Sequence, residues 1–430
     1  MVALPTQSLV NPPSANAGPL DRSIALIPES QDRPGDDPIF SLNAEALERA
    51  ATGAKVVNAT LGALFDDDGS LAVMQSVFDA LRAVPPERAA AYAPIAGPPE
   101  FLTAVLDDLY GGHALHEQSV IVGTPGGTGA LYDAIVNFTE PGHALLTSSY
   151  YWSPYGILAD HARRGLTTFR MFDEAGDFDV ASLERRLHEL LDEQGRALVV
   201  LNTPCHNPTG FSLDDDEWRR TVKVLRDASE KGPIALCIDY AYAEFAAERS
   251  GSWRDHVAGL IDRVTLLVAW TASKSFTQYG ARVGALVASH ADPAERERLL
   301  NALRYTCRGT WSNCNHLGMS GVADALIRPE LRARLESERG DLRALLDARV
   351  KVFNEHASGT SLRYPRYEGG FFVSCFTSDP HAVAQRCKAQ GLFLVPLQGA
   401  VRVALCSVPA ADIPFLVEVL DEAVRSVENR

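Results

Sequence analysis

The sequence predicts an α/β fold, with a mostly parallel sheet covered on both faces and a second, smaller α+β part. Two observations predict it. From Ser119 to Asp239, short apolar runs of strand length alternate with stretches of helical periodicity, the pattern of a parallel sheet whose crossovers are helices. Beyond Pro329 the rhythm changes: one long charged helical stretch, Pro329 to Glu355, precedes short strands around Phe371–Ser374 and Val401–Leu405. A chain of 430 residues has room for about two or three domains with ample core.

The elements follow in order. Residues 5–37 hold Pro12, Pro13, Pro19, Pro28 and Pro34 with few large apolar side chains, which predicts an extended or partly disordered arm. Pro38 to Ala51 reads as a helix, Lys55 to Gly62 as a strand entering a glycine turn, and Leu71 to Val84 and Glu100 to Tyr110 as helices. Strands are expected at Val120–Val122, Ala144–Thr147, Leu166–Phe169, Ala197–Asn202, Ile234–Asp239, Val264–Ala269 and Val283–Ala288. Helices are expected after Gly129, over Val180–Gln194 and over Leu213–Lys231. Apolar runs bounded by Gly, Pro and Asn carry the strand assignments.

Composition narrows the function. A net charge of -15 argues against binding a nucleic-acid backbone by bulk electrostatics. The seven cysteines are odd in number and lack C-x-x-C spacing, which argues against a disulfide framework or a structural zinc site and for a reducing compartment. No apolar run approaches the ~20 residues of a membrane span. Met1–Gln7 has neither the charge nor the apolar core of a secretory signal. A cytoplasmic location is the expectation.

The unusual residues cluster at strand ends, where parallel sheets bind ligands. Lys274, flanked by Ser273 and Ser275, lies between the apolar runs Val264–Ala269 and Val283–Ala288, with Arg282 on the same loop. A lysine held there is poorly solvated, which lowers its pKa and frees a nucleophilic amine. Gly126-Gly127-Thr128-Gly129 opens a helix and serves either as an anion cradle or as a plain tight turn. Asp239 ends an apolar strand, so its carboxylate needs a partner, and Tyr242 follows closely. Asn207 sits in a turn-forming run, Asn207-Pro208-Thr209-Gly210. Trp152 follows a strand end and fits either over a planar ligand or in a core. Arg402, among apolar neighbours in Val401–Leu405, calls for a carboxylate. Taken together these groups describe a planar phosphorylated heterocycle with an aldehyde. The glycine cluster, Ser273 and Arg282 take phosphate, Asp239 a ring nitrogen, Asn207 and Tyr242 a ring oxygen, Trp152 the ring face, and Lys274 forms an imine. That ligand is pyridoxal 5'-phosphate.

On Cys205-His206-Asn207-Pro208-Thr209-Gly210, Asp239-Tyr240-Ala241-Tyr242 and Ser273-Lys274-Ser275-Phe276 with Arg282, the sequence resembles class I aminotransferases of the aspartate/aromatic subgroup. Gly127-Thr128-Gly129-Ala130-Leu131 and Tyr92–Gly97 add to the resemblance, which runs from about Pro38 to the C-terminus. It implies fold type I: a three-layer large domain over residues 71–341, and a smaller α+β domain built from both chain ends, 38–70 and 342–430. It also implies a transaminase moving an amino group between a dicarboxylic or aromatic L-amino acid and a 2-oxo acid such as 2-oxoglutarate. Lys274, Asp239 and Tyr242 become catalytic residues. Gly126, Gly127, Thr128, Trp152, Asn207, Thr271, Ser273 and Arg282 become cofactor ligands. Tyr92 and Ser312 become phosphate ligands across a homodimer. Gly62, Asn207 and Arg402 serve the substrate, and Arg308 of the neighbouring subunit its distal carboxylate. No metal is implied.

The chain departs from the family's pattern at Pro154 and Tyr155, where Asn and His are usual, at Asn202, where His is frequent, and at Cys314–Gly318, where Pro-Pro is expected. The first three tune the carboxylate–pyridine network and the pocket. They keep open a pyridoxal-phosphate lyase or β-decarboxylase; a non-catalytic ligand-binding regulator is a more distant alternative.

Overall fold

A computed structural model describes residues 25–31, 33–35, 37–246 and 253–428. Most of the expected N-terminal arm, residues 1–24, lies outside them. Pro28–Gln31 is a helical turn, and the helix Pro38–Ala51 follows, capped by Asp37, whose side chain accepts from the Ile39 N–H.

Twelve strands are described: Val57–Asn58 (β1), Ser119–Pro125 (β2), Ala144–Ser148 (β3), Gly165–Phe169 (β4), Ala197–Asn202 (β5), Ile234–Asp239 (β6), Val264–Thr271 (β7), Val283–Ser289 (β8), Phe372–Phe376 (β9), Leu392–Phe393 (β10), Val395–Leu397 (β11) and Ala400–Ala404 (β12). Seven form one sheet in the order β2-β8-β7-β6-β5-β3-β4. All its pairings are parallel except those of β8, which runs antiparallel to both β2 and β7.

The strands alternate between two apolar clusters. In β5, Leu198 and Val200 face one cluster and Val199 and Leu201 the other; in β7, Leu267 and Ala269 oppose Leu266 and Val268. Successive side chains point to opposite faces. A strand buried on both faces therefore reads as an unbroken apolar run, which is why these strands were visible without alternation. Helices cover both faces, among them Gly126–Phe138, Val180–Gln194 and Asp215–Ala228.

β11, β12 and β9 form a separate antiparallel sheet, and β1 pairs with β10. Side chains of β1, β9, β10 and β12 share a third cluster with the long helix Pro329–Ala357 and the C-terminal helix Ile413–Glu428.

Two expectations need correction. The strand expected over Lys55–Gly62 pairs only at Val57–Asn58. Ala59 still bonds the Phe393 carbonyl and the Ala404 N–H through its backbone, but the Thr60, Leu61 and Gly62 carbonyls meet the side chains of Arg402, Cys406 and Lys274 instead of a ladder. The helix expected from Leu71 begins only at Gln75, because the Ala72 N–H bonds the Leu64 carbonyl and the Met74 N–H bonds the Thr277 hydroxyl. Several helices were not anticipated, among them Pro154–His161, Pro293–Thr310, His316–Ile327, Pro380–Ala389 and Ile413–Glu428. Among the described residues no helix is long and apolar enough to cross a membrane, and no group of three His, Cys, Asp or Glu could hold a metal ion.

Candidate functional site

The carboxyl ends of β5, β6 and β7 lie side by side: Asn202 is in register with Asp239, and Asp239 with Ala269. Lys274 follows the end of β7 on a single helical turn, Ala272–Ser275, capped by Thr271, whose side chain accepts from the Ser273 N–H. Its Nζ donates to the Gly62 carbonyl at 2.7 Å and lies 4.6 Å from the Tyr279 ring centre and 5.8 Å from that of Tyr242. Burial among these rings lowers its pKa from 10.5 to about 8; Arg282 and Arg402 push the same way, and Cys406 and Asp239 oppose. The amine is thus poised near neutrality to give and take protons.

Asp239 is buried and is pushed up to about 6 by desolvation. Three things resist that rise: the Tyr155 hydroxyl, the backbone N–H of Ala241 and the charge of Lys274. Tyr155 donates to Asp239 Oδ2 at 2.5 Å. Asn202 ties the floor together. Its Nδ2 donates to the Asp239 carbonyl at 2.9 Å, and its Oδ1 accepts from the Asn207 N–H at 2.5 Å. Asn207 Nδ2 in turn donates to the Tyr242 hydroxyl at 3.1 Å. Trp152 sits edge-on to Tyr155, ring centres 5.6 Å apart at 85°.

Arg282 occupies the left-handed region at φ 54°, a conformation that costs a non-glycine residue about 1–2 kcal/mol. Its guanidinium donates to the Ser273 hydroxyl at 3.3 Å and to the Tyr279 carbonyl at 2.9 Å, and reaches the Thr128 hydroxyl at 3.5 Å. It lies over Gly126, where a Cβ would meet Nη2 at 2.6 Å. The glycine cluster, Thr128, Ser273 and Arg282 therefore surround one spot at the N-terminus of the helix Gly126–Phe138, an arrangement suited to an anion.

Arg402, in the middle of β12, donates from Nη2 to the Thr60 carbonyl at 2.6 Å and stacks 4.6 Å from the Phe372 ring centre. It is buried, and its Nε has no partner among the described residues. Among the described residues, no hydrogen bond links Tyr92, Arg308 or Ser312 to this cluster. Tyr92 is 91% exposed. Arg308, also exposed, donates to the Ser312 hydroxyl at 2.5 Å.

Sequence reasoning passed over Tyr279, Thr60 and Phe372. The Tyr279 hydroxyl accepts from the Leu64 N–H at 2.8 Å. The roles of Thr60 and Tyr279 depend on contacts between residues more than two hundred positions apart, which no local pattern signals. Tyr155 was visible as an anomaly, but its partner was not.

The family described as aminotransferase class I and II matches residues 54–420. The chain belongs to this family. The aminotransferase is 30% identical over 359 residues to the aspartate aminotransferase of Pseudomonas aeruginosa, covering 80% of this chain and 87% of that protein. It is 28% identical over 381 residues to the tyrosine aminotransferase of Klebsiella pneumoniae, covering 86% and 93%. Among solved structures it superposes on an aminotransferase from Anaerococcus prevotii with a TM-score of 0.90 at 30% identity, covering 93% of this chain and 99% of that one. It also superposes on the aromatic-amino-acid aminotransferase of Burkholderia pseudomallei, which is covalently bound to pyridoxal phosphate, with a TM-score of 0.77 at 25% identity. The fold is type I, the activity is transamination, and the family implies pyridoxal phosphate. These relatives do not favour a lyase or a decarboxylase.

Proposed function

We propose that Lys274 is the catalytic amine of this aminotransferase and that a dicarboxylic or aromatic L-amino acid is its donor, with a 2-oxo acid such as 2-oxoglutarate as acceptor. The observation that carries the reading is the convergence of one buried lysine and one buried carboxyl at the carboxyl end of the large sheet with one buried arginine from β12 of the small sheet, whose charge acts on the lysine.

The residues suit pyridoxal 5'-phosphate. Arg282, Ser273, Thr128, Gly126, Gly127 and Thr271 supply an anion site for its phosphate. Asp239 offers a carboxylate to its ring nitrogen, Asn207 and Tyr242 donate to its ring oxygen, and Trp152 covers its face. The orphaned Nε of Arg402 is a donor left for a substrate carboxylate, with the Gly62 backbone beside it. When bound, the cofactor supplies an electron sink for the charge that builds at the substrate's α-carbon.

The chain's own groups do the rest. Arg402 grips the α-carboxylate and fixes the α-carbon within reach of Lys274 Nζ. That nitrogen, whose pKa burial draws down to about 8, takes the α-proton when unprotonated and returns it. Asp239, with its pKa pushed up to about 6, is mostly ionised at neutral pH and would hold a positive charge on the ring nitrogen of the bound cofactor. Arg282 adds a cation whose repulsion lowers the Lys274 pKa further and so favours the free amine.

Tyr92 and Ser312 are read as phosphate ligands, and Arg308 as a distal-carboxylate ligand, for the other subunit of a homodimer. The exposure of Tyr92 and Arg308 supports this reading. The division into a large domain, 71–341, and a small one, 38–70 with 342–430, is supported by the third apolar cluster, which gathers mainly residues of the two chain ends. A cytoplasmic setting is consistent with seven free cysteines.

The test is a half-reaction. Protein loaded with pyridoxal phosphate and given amino donor alone should convert the cofactor's absorbance to that of its amine form, releasing one equivalent of 2-oxo acid. Ammonia and pyruvate appearing without an acceptor would instead indicate elimination.

A further inference from the structure

Tyr155 lies at the second position of the helix Pro154–His161 and is only 1% exposed. Its ring is held on two sides: Tyr151 stacks parallel at 6.4 Å and 9°, and Trp152 meets it edge-on. A ring so confined has one polar atom to place, and it places it on Asp239 Oδ2 at 2.5 Å. That is the length of a charge-assisted O–H···O⁻ bond. Burial and the adjacent carboxylate hold the phenol far above its ordinary pKa, so it stays neutral and is the donor.

The remaining groups facing Asp239 do not duplicate this bond. The Ala241 N–H is backbone, Lys274 acts through space, and Cys237 and Tyr242 carry no positive charge. Asn202 bonds the Asp239 carbonyl rather than its carboxylate. Among the described side chains, Tyr155 is the one that hydrogen-bonds the Asp239 carboxylate.

We propose that Tyr155 is a positioning residue that holds the Asp239 carboxylate ionised and aimed at the cofactor's ring nitrogen. This rests on the reading of Asp239 as that nitrogen's partner. Tyr155 touches neither cofactor nor substrate; it acts through Asp239. Losing the hydroxyl leaves a buried carboxylate with one donor fewer, and the protonated form gains ground. An uncharged Asp239 no longer pairs with a protonated ring, so cofactor affinity falls first on the acid side.

The experiment measures pyridoxal phosphate affinity by equilibrium dialysis from pH 5 to 8.5 for wild type, Tyr155→Phe, Tyr155→His, Asp239→Asn and the Asp239→Asn/Tyr155→Phe double variant. Thermal unfolding is followed in parallel. In Tyr155→Phe, affinity at pH 7 should fall by roughly tenfold, and the acid limb should move up by about one pH unit. Tyr155→His keeps a ring N–H donor and should recover part of the affinity. In the Asp239→Asn background, removing the hydroxyl should change affinity by less than about twofold. If wild type binds and Tyr155→Phe matches it in both affinity and acid limb, Tyr155 only fills space and the inference is wrong. An equal loss in the Asp239→Asn background would overturn it too. Should Tyr155→Phe not fold, Tyr155→His carries the same test: affinity loss without any movement of the acid limb contradicts the inference. Wild type that binds no pyridoxal phosphate overturns the cofactor reading itself, a distinct result.

Discussion

Replacing Lys274 with Met in the cofactor-free protein separates the cost of holding the amine from its chemistry. Burial brings the Lys274 ammonium from 10.5 down to about 8. At about 1.4 kcal/mol per pH unit, holding a charged lysine there costs the native state about 3 kcal/mol at neutral pH. Lys274 keeps some solvent contact, and screening reduces this to about 2 kcal/mol. Met has similar length and fills most of the same space. It also leaves the Gly62 carbonyl without its donor, which gives back about 1 kcal/mol. The variant should therefore be more stable by about 1 kcal/mol at pH 7. The pH dependence fixes the sign. A lysine whose pKa is lowered on folding contributes stability that is complete above about pH 10.5 and is lost as pH falls through about 8. Wild type should thus gain on the variant as pH rises from 8 to 10, while below pH 8 the difference stays flat. Urea unfolding of both proteins at pH 7, 8, 9 and 10, read by far-ultraviolet circular dichroism, gives the comparison. A stability difference that does not vary between pH 8 and 10 would mean the amine is as solvated as in the unfolded chain, and the reasoning about Lys274 would fail with it.

Other substitutions probe other parts of the site. Gly210→Ala places a Cβ 2.2 Å from the Phe372 carbonyl oxygen and 2.4 Å from the Tyr367 ring, at φ 75°; a loss of about 3 kcal/mol or more in urea unfolding is expected, and an unchanged midpoint would show that the turn yields. Arg402→Lys exchanges a fork for a point charge, so the KM for the amino donor should rise roughly tenfold while pyridoxal phosphate affinity holds; an unaltered KM removes Arg402 from the substrate site. Arg308→Ala should lower kcat/KM for dicarboxylic donors by at least about tenfold and spare aromatic ones; equal losses for both would make Arg308 structural.

The parts of the fold that could be read in the sequence are those fixed by local chemistry. β5 and β6 were found to the residue because strands buried on both faces leave unbroken apolar runs ended by Asn202 and Asp239. The antiparallel direction of β8 left no trace, since its residues are as apolar as those of a parallel strand. The helix Pro293–Thr310 was missed because only Leu303, Thr306 and Cys307 along it are buried, too few to make an apolar stripe. At the site, Lys274, Asp239 and Arg402 stood out as charges within apolar runs, where burial demands a reason. What could not be read was pairing across the chain. Tyr155 was noticed as a departure from the family, but only the bond to Asp239, 84 positions away, gives the departure a meaning. Tyr279 lies on the lysine loop, yet its ring beneath Nζ is a fact of packing.

The run from Thr60 to Gly62 has no regular secondary structure, yet its carbonyls hold two of the site's cations: Thr60 takes Arg402 and Gly62 takes Lys274. It behaves as a latch with two bolts on one plate. On the proposed reading of Arg402, a substrate carboxylate would compete for it with the same three residues that tether Lys274. The two tethers therefore share one short run of backbone that belongs to neither sheet.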